Sequence, residues 1–93
     1  MNYNIIVENE ALEDLQNIYN YITEQDSKNK ARKFIFELQK KMNSLSQMPH
    51  RCRKSYYIED EDTRDLIYKK YTIVFKIIEQ NVHILTLFKQ RTF

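Results

Sequence analysis

Residues 64–93 read RDLIYKKYTIVFKIIEQNVHILTLFKQRTF, and their period decides the fold. DLIY, YTIVFKII and VHILTLF alternate or run apolar over strand lengths. Joined by KK and EQN, they predict three strands of an antiparallel meander. Glycine is absent from the whole chain, so these turns lack the usual residue for positive φ. Asn tolerates the left-handed region best, which makes Asn81 the expected substitute after Glu79 and Gln80. The last strand runs into Lys89, Gln90 and Arg91, positive charge that a core-filling strand does not need.

Working back, residues 50–63, HRCRKSYYIEDEDT, carry bases first and acids afterwards. They predict a loop, with a short edge strand at SYYI. Tyr56 and Tyr57 would either stack on nucleic-acid bases or cover the sheet edge. Before the loop, Ala31, Phe34, Ile35, Leu38, Met42 and Leu45 form the apolar stripe of a helix. Asp26 or Ser27 can cap its start. Pro49, the only proline, ends it by forbidding helical φ/ψ at Met48. Ala11, Leu15, Ile18 and Ile22 mark an earlier helix over roughly 9–24, and YNIIV before it reads as a strand. The expected order is β-α-α-β-β-β. An antiparallel helical hairpin would pack on one face of a small, mostly antiparallel sheet, an α+β fold.

Ninety-three residues suit a single domain over 1–93 with one core. The apolar share of 42% and charged share of 30% are those of a folded chain rather than a disordered one. No apolar run approaches a membrane span, and MNYNIIVENE shows no leader pattern. Cys52 is alone, which fits a reducing cytoplasm, and no Cys/His set has metal-ligand spacing. No cofactor motif is present.

The net charge is only +2, but it is unevenly placed. Residues 1–26 hold Glu8, Glu10, Glu13, Asp14, Glu24 and Asp26, with no Lys or Arg. Residues 28–54 hold nine bases against one acid, Glu37. Such asymmetry suggests a surface for nucleic acid or an acidic partner. Lysines on an exposed helix need no ligand, however, so the bases outside 28–41 are the more informative. Arg51, Arg53, Lys54, Arg64, Lys89 and Arg91 are the candidate target-binding residues.

The chain resembles the RelE/ParE superfamily of bacterial toxins, most closely its ParE-like branch. Ala11, Asp14, Leu15, Ile18, Tyr21 and Ile22 match the pattern of the first helix. Arg64 and Leu66 match an Arg-x-Leu before the second strand, and Tyr71 and Ile73 match a Tyr-x-Ile-x-Tyr in the third, where Phe75 replaces the last Tyr. Two further positions depart in ways that matter. Lys89 stands where the family usually has His, and Lys69 replaces a glycine common in the turn before the conserved Tyr.

The resemblance implies a cytoplasmic toxin of a type II toxin–antitoxin module that binds DNA gyrase, held inactive by a cognate antitoxin in a possible hetero-oligomer. Some members of the superfamily instead cleave mRNA on the ribosome without a metal. That chemistry needs a base, an acid and cations on the phosphate. Arg64, Lys89 and Arg91 could converge at one end of the meander as its cations, joined by Arg51, Arg53 and Lys54. Arg64 would be the bidentate phosphate clamp. His50 could reach this cluster as a proton carrier, whereas His83 belongs at the opposite end of its strand from Lys89. Lys in place of His at residue 89 weakens acid–base chemistry there. A non-toxic RNA-binding or interaction module is a third reading.

Overall fold

The computed structural model describes residues 2–89. Five strands and two helices follow in the order β1 (Asn4–Val7), α1 (Asn9–Gln25), α2 (Lys28–Ser44), β2 (Arg53–Lys54), β3 (Thr63–Tyr68), β4 (Tyr71–Ile78) and β5 (Asn81–Lys89). The sheet order is β1-β5-β4-β3-β2. β1 lies parallel to β5, and every other pair is antiparallel. This is the expected α+β arrangement, with the edge strand displaced. β2 forms at Arg53–Lys54 rather than at SYYI, because Ser55 Oγ accepts the amides of Tyr57 and Ile58 and turns the chain there.

The Ser27 hydroxyl caps α2 by accepting the Lys30 amide. The helix stops at Ser44, short of the proline, and tightens into successive three-residue turns at Leu45, Ser46 and Gln47. Met48, held by Pro49 out of the helical region, takes φ 49°. A 3₁₀ turn at Pro49–Arg51 then leads into β2.

The hairpin covers one sheet face. Ala11, Leu15, Ile18, Leu38, Met42 and Leu45 meet Tyr71, Ile73, Phe75, Ile77, Val82, Ile84 and Leu87 in one cluster. Strict alternation along β5 would put Ile84 and Leu87 on opposite faces. A β-bulge prevents this: Val74 pairs with Thr86 but Phe75 pairs with Ile84, leaving Leu85 over. Tyr71 and Phe75 share the core face, as their spacing predicts.

On the far face, residues 55–62 fold back over the sheet instead of covering its edge. Tyr57 meets Phe88 edge-to-face at 4.9 Å. Lys76 pairs with Asp60 at 2.9 Å, and Thr63 and Asp65 are buried beneath. The two hairpin turns use Lys69 (φ 55°) and Glu79 (φ 54°) as their positive-φ residues, so Glu79 takes the role expected of Asn81. Asn81 instead pairs with Ile78 on β4, and its side chain accepts from Asn4 Nδ2. None of the described helices is long and apolar enough to cross a membrane.

Candidate functional site

The cations named from the sequence divide between two ends of the sheet. Arg64 pairs with Phe75, whereas Lys89 pairs with Tyr71 four residues along the same strand. At about 3.3 Å per residue, that separates them by roughly 13 Å along the sheet, besides two strand spacings across it. The core side chains Leu66, Ile73 and Phe75 pack in the space between. The expected convergence of Arg64 and Lys89 is therefore corrected: each lies at its own end. Arg91 lies outside the described residues. His83 lies at the far end of β5 from Lys89, as expected, and meets Glu8 at 2.8 Å.

At the first end, Arg64 joins the segment that carries the other named bases. Its Nη1 donates to the carbonyls of Cys52 at 2.8 Å and His50 at 3.3 Å. The guanidinium thus holds the 3₁₀ turn against β3, pairing with neither Asp65 nor the EDED run. Beside it, Arg53 reaches the fully buried carboxylate of Asp65 at 3.5 Å and stacks on the Tyr56 ring at 3.9 Å. Lys54 meets Glu61 at 3.0 Å, so the acidic run does neutralise part of this basic loop. Arg51 and His50 are exposed and line a shallow groove with Tyr3 and Met48. The Tyr3 and His50 rings meet edge-on at 6.1 Å. Burial pushes the Cys52 thiol pKa up, away from reactive thiolate behaviour.

At the second end, Lys89 lies over the Tyr21 ring at 5.7 Å. The β3–β4 turn brings Lys69 and Lys70 to the same end of the sheet. There α2 contributes residues that the sequence reading set aside. Glu37, Lys40, Lys41 and Ser44 form a groove with Tyr68. The Tyr68 hydroxyl donates to Glu37, and Lys69 Nζ reaches the same carboxylate oxygen at 3.3 Å. These bonds hold the Glu37 carboxyl below its usual range, the Tyr68 bond being the largest cause. They raise the Tyr68 hydroxyl and the Lys69 ammonium in turn. The sequence signal for this groove was the spacing 33, 37, 40, 41 and 44 on one helical face. What it lacked was the position of Lys69, 32 residues away from Glu37. Among the described residues, no group of three or more His, Cys, Asp or Glu could hold a metal ion.

Residues 5–92 match the family model of the ParE toxin of the type II toxin–antitoxin system parDE. Among solved structures, the chain is similar to the chromosomal ParDE toxin–antitoxin system from P. aeruginosa. There the TM-score is 0.83 at 18% identity, covering 96% of this chain and 97% of that one. It is also similar to the toxin–antitoxin complex RelBE2 from Mycobacterium tuberculosis, with a TM-score of 0.73 at 17% identity, covering 97% of this chain and 93% of that one. No curated protein matches the chain.

Proposed function

Because the chain belongs to the ParE toxin family of type II toxin–antitoxin systems, we propose that it arrests growth by binding DNA gyrase and that a cognate antitoxin neutralises it. One observation carries the choice of a binder over a nuclease. Lys89, one of the cations a ribonuclease would gather on one phosphate, lies at the other end of the sheet from Arg64, and Arg64 Nη1 is engaged on two backbone carbonyls. A transition-state clamp needs its donors preorganised towards the reacting group. Here Arg64 Nη1 is directed at backbone carbonyls of its own chain. The exposed bases Arg51, Lys54 and Lys89 serve as contact points for a partner surface, with Arg53 and Arg64 holding the segment that presents Arg51 and Lys54. In this reading the chain acts in the cytoplasm, where gyrase and its DNA are found.

A second reading, an mRNA endonuclease on the ribosome, draws on the groove where His50 and Arg51 lie together beside Tyr3. Inducing the gene without its antitoxin separates the two. Loss of labelled thymidine incorporation before labelled methionine supports gyrase. The reverse order supports the ribosome and makes His50 and Arg51 the residues to substitute first.

A further inference from the structure

The groove between α2 and the β3–β4 turn has a composition that neither the core nor the contacts above explain. Among its lining residues the only acid is Glu37, whose carboxylate is already held by Tyr68 and Lys69. Lys33, Lys40, Lys41 and Lys70 have no ion-pair partner among the described residues. Their charge therefore faces outward from a groove of about 310 Å³. We infer that this lysine ridge holds the phosphate backbone of duplex DNA, so that the toxin touches the DNA as well as the enzyme bound to it. The inference rests on the gyrase reading for its setting, since gyrase carries duplex DNA.

Three observations select this occupant. First, ammonium groups lie over the aromatic rings here, and of these rings only Phe36 is largely exposed. Lys40 lies 5.4 Å over Phe36, Lys41 lies 5.5 Å over Tyr68, and Lys69 lies over Phe34 and Tyr68 at 5.6 and 5.4 Å. Single-stranded nucleic acid is gripped by stacking successive bases on several open rings, whereas Phe34 and Tyr68 are half-buried here. Second, an acidic helix docking in a groove needs apolar anchors between its charges. Among the described residues, the groove's lining, Glu37, Lys40, Lys41, Ser44 and Tyr68, holds no aliphatic side chain to serve as such an anchor. Third, the cations are lysines. Lysine is a hydrated point charge suited to phosphates, whereas base readout favours the planar fork of arginine. From Lys33 to Lys41 the helix rises about 12 Å, the reach of two or three successive phosphates of one strand.

The test compares the wild-type chain with a triple variant, Lys33→Gln, Lys40→Gln and Lys41→Gln. Lys69 is left intact because it closes the β3–β4 turn. Binding to a labelled DNA duplex of about 20 base pairs is followed across a salt titration. Removing three phosphate contacts should flatten the log–log salt slope by about 3 and weaken low-salt binding by more than ~10-fold. Binding to gyrase without DNA should be equal for the two proteins. Equal duplex binding by both overturns the inference, as does absence of wild-type binding to the duplex. Loss of poly-glutamate binding with duplex binding retained also overturns it, assigning the ridge to an acidic protein. If the triple variant loses gyrase itself, the lysines are protein contacts and the inference falls while the gyrase reading stands. If the wild type binds duplex but not gyrase, that reading fails and the DNA contact survives. A matched urea midpoint for both proteins shows that the variant is folded.

Discussion

Asp14 and Leu87 meet across the open edge of β5. Asp14 Oδ2 accepts the Leu87 amide at 2.9 Å and the Thr86 hydroxyl at 2.6 Å. β1 pairs with β5 only as far as Ile84, so beyond that residue β5 would present unpaired backbone on this side. The helix supplies the acceptor that a strand would otherwise provide, beside the bulge that turns Leu87 into the core. Asp14 in the first-helix pattern is thus a structural carboxylate that fastens α1 to the sheet.

Removing it should be costly. Asp14→Ala leaves the Leu87 amide and the Thr86 hydroxyl without their acceptor, with an expected loss of about 2 kcal/mol. Asp14→Asn keeps an acceptor oxygen and should recover part of this. Urea unfolding of the three proteins measures both effects, and an unchanged midpoint for Asp14→Ala would remove the role assigned to it.

The hairpin turns make the opposite kind of prediction. Glu79 is exposed and holds φ 54°, a region that costs a side chain with a Cβ about 1 kcal/mol or more. Glu79→Gly should therefore raise stability by about 1 kcal/mol, partly offset by the greater freedom of glycine in the unfolded chain. Gln80→Gly, at the neighbouring position without positive φ, should not. Thermal melts of the two variants distinguish them.

Much of the fold was legible because period and order are local properties. The two helical stripes and the meander follow from residues within a few positions of each other. The bulge at Leu85 was not legible. Its cause is three-dimensional: Val82, Ile84 and Leu87 must all face the hairpin, and alternation in VHILTLF predicts otherwise. The site was hidden for a similar reason. Register decides which end of the sheet a charge occupies, and it separated Arg64 from Lys89 while bringing Lys69 to Lys41 and Glu37. The helical lysines read as ordinary solvated charges in the sequence, because their neighbours Tyr68 and Lys69 come from another element.

Buried Asp65 anchors the loop that covers the far face. It accepts the Tyr56 amide at 3.1 Å and meets Arg53 at 3.5 Å. Asp65→Ala removes both contacts and leaves the half-exposed Arg53 without its partner, an expected cost of about 2 kcal/mol. Residues 55–62 should then become sensitive to limited proteolysis at low protease concentration, ahead of cleavage elsewhere. Uniform cleavage across the chain would contradict a local anchor.

Acid should act through Glu37. Its folded pKa lies below the ordinary 4.5, so its contribution to stability is present above that value. The contribution is lost as pH falls from about 4.5 through the lowered folded value, because protonation removes the negative charge that strengthens the bonds from Tyr68 and Lys69. Glu37→Gln should therefore be less stable than the wild type at neutral pH, with the gap narrowing as pH falls below about 4.5. A gap that stays constant across this window would show that the Glu37 charge contributes nothing.

The most direct test of the account is supercoiling of relaxed plasmid by purified gyrase and ATP, with and without the purified toxin. If gyrase is the target, the toxin stops supercoiling at stoichiometric concentration and its antitoxin restores it. Undisturbed supercoiling, together with cleavage of mRNA on purified ribosomes by the same preparation, would contradict it and transfer the function to the groove of His50 and Arg51.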